Sequence, residues 1–331
     1  MTIVGLRKTM AQTAAWMGLK LGLFLVPAVP RRWFIPIADG ASGLAFHLFR
    51  SFRNRSRTNL SIALGVSPDA QETLEIVRRS LRNFFRSFVE TGLAGKIPAE
   101  EMRDEIPLYG RQHLDAARAK GKGVILLSAH LGNFFLLGTR LAAEGYPAYV
   151  LVKQAEWGSL SKLMDDWRSR LGQRTIHARP RAEASRELLR VLRRNDPVIV
   201  IADEYRSRSG IEVPFFDRTV LARRGPATLA RRTGAAVVPA YLVRGPGGGL
   251  ALHIEPEIEL RKSGDVRADV IENSLRITRW LERTVRRYPD QWNWMNIRWQ
   301  QTSPGARATR EDGRKPPGIY AVSGGRESET P

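Results

Sequence analysis

Three polar side chains stand just past three apolar runs of this 331-residue chain. His130 follows Val124-Ile125-Leu126-Leu127-Ser128, Lys153 follows Tyr149–Val152, and Asp203 follows Val198–Ala202. Short unbroken apolar runs of this kind read as strands buried on both faces. Parallel strands would end on one edge of a sheet, the edge where such folds bind ligands. A base, a cation and an anion would then share one crevice. Such a set can deprotonate a hydroxyl and stabilise an oxyanion. Glu204 adjoins Asp203, and Arg223 and Arg224 precede Gly225 at the start of a short helix. Arginines beside a helix N-terminus can hold a phosphate, and Arg206 and Arg208 add charge nearby.

Other chemistries lack their residues. There is no cysteine, which excludes disulfides and thiolate nucleophiles. The five histidines are dispersed, so no zinc site is expected. No G-x-S-x-G elbow accompanies Ser128, which lies inside its strand. Arg244-Gly245-Pro246-Gly247-Gly248-Gly249 joins two strands and reads as a hairpin turn, not as a phosphate cradle. No cofactor is implied.

The elements that must position these side chains alternate. Val124–Ser128, Tyr149–Val152, Val198–Ala202, Ala236–Val243 and Leu250–Glu255 read as strands. Phe134–Glu144, Ser159–Leu171, Ala182–Arg194, Pro226–Arg232 and Asp265–Tyr288 read as helices. The fold class is therefore α/β, a mixed and mainly parallel sheet flanked by helices. Residues 101–301 form this α/β domain, and residues 302–331, rich in Pro, Gly and charge, read as a disordered tail.

Residues 1–100 read as a helical, membrane-associating region. Thr9–Pro30 carries only one charge, Lys20, and ends in Pro27 and Pro30. It suits a membrane-anchoring or interfacial helix, with an ordinary core helix as the alternative. Arg50-Ser51-Phe52-Arg53-Asn54-Arg55-Ser56-Arg57 places four arginines in eight residues, which suits an anionic membrane surface or a solvated face. A further helix opens near Ser67-Pro68-Asp69. Its Leu74, Val77, Leu81, Phe84, Phe85 and Phe88 read as a packed amphipathic face. The net charge of +20 implies an acidic partner. No recognition motif or stacking platform points to nucleic acid.

Four segments in order carry a family resemblance: Arg55-Ser56-Arg57-Thr58-Asn59-Leu60; Ser128-Ala129-His130-Leu131-Gly132-Asn133; Val213–Arg218 with Gly225–Pro239; and Pro289–Trp299. Together they resemble the lipid A biosynthesis acyltransferases of the lysophospholipid-acyltransferase-like superfamily. The resemblance implies acyl transfer from an acyl carrier protein or acyl-CoA thioester to a hydroxyl of a membrane lipid or glycolipid. The place implied is the cytoplasmic face of the cell inner membrane. It makes His130 the general base and matches Asn133 and Asp203 to family positions. Asn133, Lys153, Glu204, Arg223, Arg224 and Gly225 are the implied substrate-binding set. Lys153 stands where the family has Arg, and Asn296 where a His is common. Phe135 stands where the family carries the acid that orients the base. Either Asp203 or Glu204 replaces that acid, or the acceptor is an amine, or the chain binds lipid without turnover. Trp292, Trp294 and Trp299 read as packing residues.

Overall fold

The computed structural model describes residues 30–153, 158–205 and 210–295, with Ile297 and Trp299. Most of the apolar N-terminal segment, Arg206, Arg208, Asn296 and the tail at 302–331 lie outside these residues. Among the described residues no helix is long and apolar enough to cross a membrane.

Four helices come first: α1 (Phe34–Leu48), α2 (Arg50–Leu64), α3 (Gln71–Ala94) and α4 (Ala99–Glu105). The arginine cluster lies along α2. Ser67-Pro68-Asp69 does not open α3, contrary to expectation. Ser67 O accepts from the Ala70 amide at 3.2 Å and from Thr73 Oγ1 at 2.8 Å, which fixes a turn and delays the helix to Gln71. Val77 and Leu81 of α3 are buried as the spacing predicts, but Phe84 and Phe88 are 39% and 44% exposed.

The sheet has seven strands: β1 (Leu108–Tyr109), β2 (Val124–Ser128), β3 (Ala148–Val152), β4 (Gln173–His177), β5 (Pro197–Ile201), β8 (Ala236–Arg244) and β9 (Leu250–Ile254), in the order β1-β9-β8-β2-β5-β3-β4. The run from β8 to β4 is parallel throughout. β9 returns antiparallel to β8 through the glycine turn, and β1 pairs parallel with β9. β6 (Ile211–Phe215) and β7 (Arg218–Ala222) form a separate antiparallel hairpin. Its turn residues Phe216 and Asp217 both have positive φ, 50° and 57°.

Helices lie between successive strands, α5 (Arg111–Ala119), α6 (Leu137–Ala143), α7 (Gly158–Arg170), α8 (Arg181–Arg193) and α9 (Gly225–Thr233), and α10 (Val266–Arg287) follows β9. The period of two sends alternate side chains of β2 into two cores. Ile125 and Leu127 face one, with Val198, Val200 and Val237; Val124 and Leu126 face the other, with Ile199 and Val238. Burial on both faces explains why the strand reads as an unbroken apolar run. Edge strand β4 has a mixed burial pattern and a polar sequence, so it gave no such signal.

Candidate active site

Strand register brings His130 and Asp203 together although 73 residues separate them. β2 and β5 are neighbours, with Ser128 opposite Ile201, and the Ala202 amide extends the ladder to Ser128 O at 2.9 Å. Two residues beyond each paired position, His130 Nδ1 lies 2.8 Å from Asp203 Oδ1. The His130 backbone amide donates to Oδ2 of the same carboxylate at 2.8 Å, and the Trp292 indole Nε1–H donates to Oδ2 at 2.7 Å. The Asp203 side chain is wholly buried, whereas the imidazole keeps 20% of its surface exposed.

Burial is the largest influence on Asp203 and pushes its carboxyl up. The charge and hydrogen bond of His130, the indole and the backbone amide outweigh it and hold the group below the usual carboxylate range. An ionised, fully bonded carboxylate on Nδ1 can fix the ring orientation and stabilise an imidazolium. The ring also meets Phe134 edge-on, with centroids 4.9 Å apart.

The loop after His130 is held by two segments, 291–292 and β8. Leu131 bridges to Trp292, the Gly132 amide donates to Gln291 O at 2.9 Å, and the Asn133 amide donates to Leu242 O at 2.8 Å. Gly132 has φ +55°, and a Cβ there would stand 2.1 Å from Leu242 O, so only glycine fits. Asn133 is buried. Its Nδ2 reaches Glu90 Oε2 at 3.0 Å, and its Oδ1 accepts from Thr91 Oγ1 at 3.1 Å and from the Leu136 amide at 3.2 Å. Glu90 is in turn paired with Arg244, Nη2 to Oε1 at 2.7 Å. These bonds spend residues 133–136 on a turn, so α6 begins at Leu137 and not at Phe134 as expected.

His130 lines an apolar cavity of about 250 Å³ with Phe49, Phe52, Phe84, Phe134 and Met295. Phe135 belongs to the adjoining aromatic cluster. Its ring lies 4.0 Å from Phe134, 6.0 Å from Phe84 and 6.5 Å from Phe88, centroid to centroid.

The remaining predicted residues do not line this cavity. Glu204 pairs with Arg223, so Asp203 alone of the two carboxylates meets the imidazole. Lys153 is exposed after β3, and β5 separates β3 from β2. Arg224 is the exposed residue before α9, whose first residue is Gly225. Because α9 leads into β8, parallel to β2, its N-terminus lies toward the sheet edge that carries His130. Sequence reading missed Trp292 as a partner of the acid, and missed Glu90 and Arg244 altogether. Trp292 lay in one of the motif segments, but its indole direction leaves no mark in sequence. Glu90 and Arg244 carry no local signal.

Residues 6–301 match the family model described as bacterial lipid A biosynthesis acyltransferase. A phosphatidylinositol mannoside acyltransferase of Mycolicibacterium smegmatis is 27% identical over 292 residues, covering 86% of this chain and 90% of the relative. One from Mycobacterium tuberculosis strain H37Rv is 29% identical over 249 residues, covering 73% and 76%. The lipid A biosynthesis palmitoleoyltransferase of Escherichia coli K12 is 24% identical over 289 residues, covering 86% and 90%.

Proposed function

The chain belongs to the bacterial lipid A biosynthesis acyltransferases, and from that premise we propose the reaction its site performs. A fatty acyl group passes from an acyl carrier protein or acyl-CoA thioester to a hydroxyl of a membrane glycolipid. The named relatives make a phosphatidylinositol mannoside or a lipid A precursor the first acceptors to try. His130 Nε2 takes the acceptor proton as the oxygen attacks the thioester carbonyl. Collapse of the tetrahedral adduct breaks the C–S bond, and the departing thiolate recovers the proton from imidazolium. Asp203 remains ionised and holds Nδ1–H throughout.

The observation that carries this reading is the 2.8 Å contact between His130 Nδ1 and the buried Asp203 Oδ1. It supplies the orienting carboxylate that Phe135 cannot. The apolar cavity beside the imidazole suits an acyl chain. Lys153, Arg223, Arg224 and Gly225, all exposed, suit an acidic carrier protein or a phosphorylated headgroup. Asn133, buried and bonded on both amide atoms, serves this site by holding the loop. The exposed apolar residues of α1, with the basic surface, suit peripheral contact with an anionic membrane.

The test is the purified full chain with palmitoyl-CoA or palmitoyl carrier protein and each acceptor, products being read by mass spectrometry. Acylated lipid from wild type, and none from His130→Ala, is the expected result. Wild-type turnover by His130→Ala would falsify the base assignment. Lipid binding without product from any donor and acceptor pair would favour a non-catalytic role.

A further inference from the structure

We propose that Trp292 is a positioning residue for the reaction, using its indole N–H to hold the buried Asp203 carboxylate so that one oxygen is reserved for His130. The proposal rests on His130 acting as the base. Asp203 has two oxygens and three donors. Oδ2 takes both the His130 backbone amide at 2.8 Å and the Trp292 indole at 2.7 Å, and Oδ1 faces His130 Nδ1 at 2.8 Å. The backbone donor alone leaves the carboxylate able to turn about its own axis. A second donor, on a different element, fixes its plane. The ring that supplies it is fully buried and itself locked, packed edge-on against Trp294 at 4.8 Å and against Phe215 at 5.9 Å.

The backbone around Trp292 ties it to the same loop. Gln291 O accepts from the Gly132 amide, Asn293 N donates to His130 O at 3.1 Å, and Gln291 exchanges two 2.8 Å side-chain bonds with the Arg244 backbone. The closing segment therefore reaches both members of the pair: His130 through its backbone, Asp203 through the indole. A packing residue needs only its shape; a positioning residue needs its N–H. That difference can be measured.

Replacing Trp292 with benzothienylalanine exchanges N–H for sulfur and preserves the ring system. The expected result is a fall in kcat of about 10- to 100-fold, the range for a hydrogen bond to a charged group, with KM changed less than about twofold. The Trp292 indole proton of wild type should resonate downfield of ordinary indole protons and move upfield in Asp203→Asn. The analogue with wild-type kcat, or an indole resonance indifferent to Asp203→Asn, would overturn the proposal. Trp292→Phe, read by the same kcat against KM comparison, serves if the analogue does not incorporate. The resonance needs no activity. A failed base assignment, seen as an active His130→Ala, is thus distinguishable from a failed role for Trp292.

Discussion

At the scale of single residues, the question is which carboxylate serves the imidazole. The resemblance leaves a gap at position 135, and the carboxylate that meets the imidazole is Asp203, just past the adjacent strand, at 2.8 Å. Asp203→Asn should lower kcat by about 10³- to 10⁴-fold, the cost seen when a triad loses its orienting carboxylate. Phe135→Glu in that background should restore nothing. The Phe135 ring sits among Phe134, Phe84 and Phe88, and a carboxylate placed there meets aromatic rings in place of a donor. Recovery of rate in the double variant, measured under saturating donor and acceptor, would return the orienting role to position 135. His130 and Asp203 were legible beforehand because each is the first strongly polar residue after a buried strand. Trp292 was not, because a tryptophan looks the same in sequence whether its N–H is idle or bonded to an acid. Lys153 looked equivalent to Asp203 in sequence, since both follow strands. Only the position of each strand in the sheet separates them.

That position belongs to the scale of elements, and it marks where sequence reading stops. Apolar runs and glycine stops located the central strands and their helices to within a residue, save α6, which begins three residues later than expected. They did not reveal that the chain inserts β5 between β2 and β3. Sheet order depends on long-range pairing, and no local pattern encodes it. The same holds for edge strand β4 and for the 133–136 turn, both of which depend on tertiary bonds. Gly132 tests how tightly that turn is held. With φ +55° and Leu242 O 2.1 Å from a built Cβ, Gly132→Ala must strain the backbone and push two segments apart. We expect a loss of more than about 2 kcal/mol in urea unfolding, together with the loss of activity. Gly121→Ala is the matched control. It too has positive φ, +68°, but open space around the Cβ, so about 1 kcal/mol is expected. Equal effects at the two sites would mean that the loop yields freely and that the contact with β8 does not fix it.

Across the whole molecule, exposed apolar surface and the site's cavity share a border. Trp33, Ile37, Leu44 and Leu48 are 53%, 52%, 62% and 64% exposed. Their spacing of four, seven and four repeats one stripe along α1 and the turn that precedes it. Phe49, 56% exposed, follows Leu48 at the end of α1 and also lines the cavity that holds His130. Apolar side chains presented in a row at the mouth of an apolar cavity are costly in water and favourable against hydrocarbon. The arginines of α2 follow immediately, and the chain carries a net charge of +20, so an anionic leaflet suits this face better than a neutral one. Replacing Leu44 and Leu48 by Ser should therefore weaken co-sedimentation with phosphatidylglycerol vesicles by about 10- to 100-fold, the scale set by losing roughly half-burial of two leucine side chains. Raising the salt should weaken wild-type binding further without abolishing it, because screening removes only the electrostatic share. Turnover of a detergent-dispersed acceptor should survive the double substitution, since neither leucine lines the cavity. If vesicle binding is unchanged while the fold is intact, the α1 stripe faces something other than the bilayer, and lipid must reach His130 from another side.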